Sequence, residues 1–335
     1  MTLSTLQPLD VAGTKTYFEI FGCEGFKSQS KLAVSIFEEG HPCVPKINPN
    51  YKFREDKTRE VMAFLRKPRG GLYIFGPTGS GKTSLIRQIN ARLNWPTLSV
   101  TCTGRTEFSS LVGGFQLVSE QPGLPPSTKF VYGPLAIAAK IGGTLILNEW
   151  DLVDPSETMG LNDLQDGSPL IIAENGGEVI YPHPSFRIIA TGNSNGTGDE
   201  SGLYQGVRMQ NLASMDRWEA MYVDYMENDQ EIDYLLKLQP KLTEPVIKLM
   251  VKFASAVRNL HKGEFADDLP VKSRLNATIS TRCMEMWADL AQKYKSSPNP
   301  LAIALDKAVG LKCLPEERIA LHRLAKDIFG DSWGE

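Results

Sequence analysis

The chain has 335 residues, 41% of them hydrophobic and 22% charged, with a net charge of -3. That length buries a sizeable core in about two domains, and the composition is that of a folded globular protein. The mild acidic balance argues against a protein that coats nucleic acid. No apolar run reaches the length of a membrane span.

The first segment, residues 1–57, reads as an N-terminal extension with turn residues at Pro42, Pro45 and Asn48-Pro49-Asn50. Met1–Lys15 has no basic start followed by an apolar core, so no secretory signal is expected. The five cysteines are scattered and form no Cys-x-x-Cys pair, which reads as reduced thiols in a cytoplasmic protein.

A helical pattern covers Asp56–Leu65, with Val61, Met62, Phe64 and Leu65 on one side. The apolar run Gly71-Leu72-Tyr73-Ile74-Phe75 follows and reads as a buried strand. Then come Gly76, Pro77, Thr78, Gly79, Ser80, Gly81, Lys82 and Thr83, which fill the phosphate-loop pattern G-x-x-x-x-G-K-[ST]. A helix is expected from Thr83 to Leu93. Strand, glycine loop and helix form the setting the motif needs. Glycines let backbone N–H groups wrap the phosphates, and the helix points its positive end at the anion. Lys82 would reach the β- and γ-phosphates, and the Thr83 hydroxyl would hold Mg²⁺. The chain is therefore expected to bind a nucleoside triphosphate.

Further short apolar runs, at Thr97–Thr101, Thr144–Leu147, Phe186–Thr191 and Ala220–Val223, read as buried strands separated by helical or loop segments. This alternation predicts an α/β fold with a parallel sheet flanked by helices over residues 58–225. Two of these strands end in polar groups, Asn148-Glu149 and Asn193, where open α/β sheets bind their ligands. The usual pair after the first of them is Asp-Glu, the Asp supporting Mg²⁺ and the Glu acting on the attacking water. Asn148 keeps an oxygen for a Mg²⁺-bound water but carries no charge. Glu149 is the candidate base. Asp151, three residues after Asn148, is either a further contributor to the Mg²⁺ site or, on the blander reading, solvated or capping a helix. Asn193 either bonds the γ-phosphate or lytic water, or forms a turn before Ser194-Asn195-Gly196. Helical periodicity takes over from Asn228, so residues 226–335 are expected to form a helical domain.

The order of these pieces resembles AAA+ ATPases, more closely the MoxR-type branch, and within it the small ATPase subunits of cobaltochelatases. The resemblance covers roughly residues 45–290. It rests most on Pro182–Arg187 through Ala190–Asn193, then Gly198-Asp199, Ser201–Tyr204 and Met215-Asp216-Arg217-Trp218, with Asn48–Phe53 and Asn94-Trp95-Pro96 in support. It implies an AAA+ P-loop core with a C-terminal helical lid, binding ATP and Mg²⁺. It implies Glu149 as Walker B base, Asn193 as sensor 1, Arg217 as an arginine finger acting in a neighbouring subunit, and Arg282 as sensor 2. It further implies a homo-oligomer, commonly a hexameric ring, and a partner carrying a von Willebrand factor A-like domain. Two inserts fit the branch, at Phe115–Phe130 and at Ile171–Pro182, the second carrying the hairpin signal Asn175-Gly176-Gly177. The functions left open are a remodelling ring, a cobaltochelatase subunit, a nucleic-acid motor and a nucleotide-binding scaffold with little turnover.

Overall fold

The computed structural model describes residues 7–29, 32–67, 70–119, 125–198, 206–264, 271 and 274–333. Asp199 and the stretch 201–204, which carry part of the resemblance, lie outside these residues, as do 120–124 of the first insert. The chain divides into two compact units. One comprises residues 1–49, 53–76 and 82–223, the other residues 50–52, 77–81 and 224–335.

The first unit opens with strand β1 (Val11–Thr16), helix α1 (Tyr17–Phe21) and strand β2 (Ala33–Phe37), β1 and β2 pairing antiparallel. A capping box starts α1: Thr16 accepts from the Glu19 N–H, and the Glu19 carboxylate accepts from the Thr16 N–H. Helix α2 (Glu55–Leu65), strand β3 (Gly71–Phe75), helix α3 (Lys82–Arg92) and strand β4 (Thr97–Thr101) follow. Next come α4 (Phe108–Val112), the antiparallel hairpin β5 (Gly113–Val118) and β6 (Ser127–Tyr132), α5 (Pro134–Ile141) and β7 (Thr144–Asn148). Pro134 at the first turn and Gly142, left-handed at φ +82°, delimit α5. Short helices α6 (Pro155–Thr158) and α7 (Asn162–Gln165) lead to the hairpin β8 (Leu170–Ile172) and β9 (Glu178–Ile180). Strand β10 (Arg187–Gly192), α8 (Leu212–Met215) and β11 (Trp218–Tyr222) complete the unit.

Five strands form one parallel sheet in the order β11-β3-β10-β7-β4. Its central strands are mainly apolar, as burial on both faces requires, with Leu145, Ile146 and Leu147 wholly inaccessible. One face packs on Val61, Phe64, Leu85, Ile86 and Ile89 of α2 and α3, together with Tyr17, Phe21 and Phe26 of the N-terminal segment. The other packs on Leu135, Ala138 and Ala139 of α5 and on Leu170, Ile172 and Ile180 of the second hairpin.

The second unit is helical: α9 (Asn228–Leu238), α10 (Glu244–Lys262), α11 (Thr281–Lys293), α12 (Pro300–Ala308) and α13 (Pro315–Phe329). Its core joins Phe253, Trp287, Phe329 and Trp333 in edge-to-face and tilted ring contacts. Inside it, Glu231 and Arg258 form a buried bidentate ion pair at 2.7 and 2.8 Å. Among the described residues, no helix is long and apolar enough to cross a membrane.

Candidate active site

Register brings the polar strand ends together. Gly192 pairs with Phe75, and Ala190 with Leu147, so Gly76, Asn148 and Asn193 emerge from the same carboxyl edge of the sheet. That edge is where doubly wound sheets bind ligands. Gly76 leaves β3 at φ +146°, where an added Cβ would clash with the Val223 carbonyl. Residues 77–81 belong to the second unit. There Tyr225 Oη donates to the Thr78 carbonyl at 3.0 Å, and a Cβ on Gly79 would clash with Ser280. Pro77 and buried Ser80 flank these two residues, and Gly81 stands at φ +90°.

Lys82 opens α3 and is 7% exposed. Its Nζ donates to the Gly76 carbonyl at 2.7 Å and to Asn193 Oδ1 at 3.1 Å. Burial pushes its ammonium down to about 8, against the pull of the Glu149 and Asp151 carboxylates. An anionic phosphate beside it would further favour the charged form. Thr83 Oγ1 donates to Asn148 Oδ1 at 2.6 Å, and Asn148 Nδ2 donates to the Val100 carbonyl of β4 at 3.3 Å.

Glu149 follows β7 at φ +55°, a left-handed conformation that costs a non-glycine residue roughly 1–3 kcal/mol. Its carboxylate accepts from Asn193 Nδ2 at 2.9 Å. Burial and then the Asp151 carboxylate push its pKa above the ordinary carboxylate value, while Lys82 and the Asn193 amide work against them. Such a carboxylate is a better base than a solvated one.

Asp151 departs from expectation. It neither caps a helix nor meets solvent: it is wholly buried in the turn after β7. Its Oδ2 accepts the backbone N–H groups of Asn193 at 2.7 Å and Ser194 at 3.0 Å. The partners lie more than forty residues away in sequence, so local pattern carries no trace of them.

Arg217 precedes β11, whose Trp218 pairs with Gly71 at the start of β3. It therefore lies at the opposite edge of the sheet from the phosphate loop, about 16 Å away for a five-residue strand. Its guanidinium binds Asp166, with Nε 3.0 Å from both oxygens and Nη2 2.8 Å from Oδ2, and donates to the Ala213 carbonyl at 2.7 Å. Arg282 is exposed in the first turn of α11, which is capped by Ser280 accepting the Cys283 N–H at 3.2 Å. Within the first unit the structure thus gathers Lys82, Thr83, Asn148, Glu149 and Asn193, and leaves Arg217 apart from them; Arg282 belongs to the second unit.

The donors beside the loop suit a hard cation. Thr83 Oγ1 and Asn148 Oδ1 are neutral oxygens 2.6 Å apart, with the Glu149 carboxylate beside them in the chain. Mg²⁺ commonly takes one or two protein oxygens and fills its shell with water and phosphate. Among the described residues, no three His, Cys, Asp or Glu side chains are grouped to hold a metal by themselves.

The strand order and the phosphate loop beside two polar strand ends define a P-loop nucleotide-binding protein of the AAA+ fold. Residues 71–208 match the AAA domain family (dynein-related subfamily), and residues 234–328 match the CbbQ/NirQ/NorQ C-terminal family. The chain is 30% identical over 313 residues to the aerobic cobaltochelatase subunit CobS of a Sinorhizobium species, covering 93% of this chain and 89% of that one. An uncharacterized protein of Staphylococcus saprophyticus is 27% identical over 223 residues, 66% of this chain and 81% of the relative. A Staphylococcus aureus protein, also uncharacterized, is 29% identical over 199 residues, 59% and 72% of the two chains. The chain belongs to the MoxR-type AAA+ ATPases.

Proposed function

We propose that this protein binds ATP with Mg²⁺, hydrolyses it in a ring of identical subunits, and uses the cycle to remodel a partner protein complex. The observation that carries the reading is the Asn193 amide, which joins Lys82 to Glu149 at the carboxyl edge of the sheet. Lys82 and the loop N–H groups take the phosphates. Thr83 and Asn148 would hold Mg²⁺, which would supply neutralisation of phosphate charge. Glu149 accepts a proton from a water whose oxygen bonds to the γ-phosphorus. The bond from that phosphorus to the β–γ bridging oxygen breaks, releasing ADP and phosphate. Asn193 orients the water. Arg282 takes the sensor 2 part that the resemblance gives it.

The position of Arg217 supports action in trans. Held by Asp166 at the far edge of its own sheet, it is remote from its own loop, and it would exchange that carboxylate for a neighbour's phosphate. A guanidinium supplied this way is worth roughly 10³ to 10⁵ in rate. The proposed partner carries a von Willebrand factor A-like domain. Exposed apolar side chains on the two hairpins, Phe115 and Leu117 on one and Ile171 and Tyr181 on the other, offer it contact surface. The cobaltochelatase relative favours a second, narrower reading, in which the remodelled complex inserts cobalt into a corrinoid.

Two measurements test the proposal. Lys82→Ala should lose ATP binding, and Glu149→Gln should bind ATP but not turn it over. Hydrolysis by Glu149→Gln at the wild-type rate would remove Glu149 as the base. Reconstitution of cobalt insertion with purified chelatase subunits separates the two readings.

A further inference from the structure

We propose that Asp151 is a positioning residue of this site, fixing the Asn193 amide between Glu149 and Lys82. The inference rests on the reading above, in which Glu149 and Asn193 act on the attacking water.

The Asn193 side chain has only one useful orientation. Its Nδ2 can only donate, and it meets the Glu149 carboxylate; its Oδ1 can only accept, and it meets the Lys82 ammonium. A turn of the side chain by half a revolution would set like groups against each other. Its backbone must therefore be held, and it is held from two sides. Asp151 Oδ2 accepts the N–H groups of Asn193 and Ser194. Tyr73 Oη, buried in β3, donates to the Ser194 carbonyl at 2.7 Å. The fit is close enough to require glycine just before: a Cβ at Gly192 would clash with Tyr73 Oη and lie 2.8 Å from Asp151 Cγ.

The manner of the hold points beyond packing. An ionised carboxylate is a costly choice in a wholly buried turn, and this one adds to the charge around Glu149. Its Oδ1 has no hydrogen-bond partner among the described residues. What Asp151 supplies in return is a pair of charge-assisted bonds to adjacent N–H groups, stronger than a neutral acceptor gives. Both bonds end on the residue that touches Glu149 and Lys82, and on the one after it. Asp151 itself makes no hydrogen bond to either charged group, so it acts through Asn193.

The test uses the full chain and steady-state ATP turnover, with Asn193→Ala as the second background. Asp151→Ala should lower kcat by about a hundredfold, the cost of displacing a group by about 1 Å, with KM within about threefold of wild type. Asp151→Asn keeps one acceptor oxygen and should recover at least about tenfold of that loss. In the Asn193→Ala background, Asp151→Ala should cost nothing further, because the group it positions is gone. Amide hydrogen exchange should quicken at residues 193 and 194 while 188–190 stay protected. If Asp151→Ala does not fold, Asp151→Asn and Tyr73→Phe carry the same test, each slowing turnover severalfold in wild type and not at all in Asn193→Ala. Turnover of folded Asp151→Ala within twofold of wild type, or losses that multiply in the double variants, would overturn the proposal. Glu149→Gln in the same assay keeps the two ideas apart: its activity bears on the base, whatever the Asp151 variants do.

Discussion

Asn193 Nδ2 lies 2.9 Å from the Glu149 carboxylate, so the polar groups that follow β10 and β7 are joined in this structure. Two features of Glu149 make that contact informative. Its backbone is left-handed at φ +55°, and burial disfavours its charge. Strain and desolvation at one residue are costs that function explains better than folding does.

Glu149→Gln should therefore separate activity from stability. The amide keeps the shape and removes the buried charge beside Asp151. Turnover should fall by about 10² to 10⁴ with ATP affinity unchanged. The thermal midpoint should rise by about 1–2 °C, as expected for relief of about 1 kcal/mol in a chain of this size. Single-turnover kinetics and calorimetry check the two halves.

Asn148→Asp should change the Mg²⁺ requirement. The substitution places a charged oxygen where Asn148 Oδ1 now meets Thr83 Oγ1. The Mg²⁺ concentration for half-maximal turnover should fall by about tenfold. The same charge, close in the chain to Glu149 and Asp151, should lower the midpoint of the nucleotide-free protein by about 1–2 °C. Titration of Mg²⁺ at fixed ATP and thermal unfolding without nucleotide provide the comparison.

A third expectation concerns acid stability in the helical unit. Asp306 receives Arg318 Nε at 2.8 Å, Arg318 Nη2 at 2.6 Å and His322 Nε2 at 2.8 Å. Burial alone would raise its carboxyl, but the Arg318 and His322 contacts outweigh it and hold the group below its ordinary 3.8. A depressed carboxylate lends stability above its unfolded value and loses it as pH falls through the folded one. Wild type should be more protected than Asp306→Asn at pH 7 in amide exchange across 300–329, and the difference should shrink once pH falls below the ordinary 3.8 and vanish when the folded carboxyl is protonated. A difference that persists or grows in acid would contradict the assignment.

The loop and the sheet edges were legible because their signals are local. Gly71–Phe75 is a continuous apolar run, Lys82 and Thr83 follow a fixed spacing, and Asn148 and Asn193 stand where apolar strands stop. The N-terminal strand pair was harder. Val11–Thr16 and Ala33–Phe37 pair across a long connection, and the register slips between Val11 and Gly13. The Thr16–Glu19 capping box was a readable signal there. Asp151 and the Arg217–Asp166 pair were not readable at all. Their partners stand forty or more residues away, and only the fold brings them together.

The composite pocket is tested most directly by mixing two inactive variants. Lys82→Ala keeps Arg217 but cannot grip the triphosphate; Arg217→Ala keeps the loop but lends its neighbour nothing. Each alone should turn over less than about one part in 10³ of wild type. In an equimolar mixture, random assembly pairs an intact loop with an intact arginine at about a quarter of the sites, and about that fraction of activity should return. An equimolar mixture as inactive as its components, in assemblies shown to exchange subunits, would contradict the account.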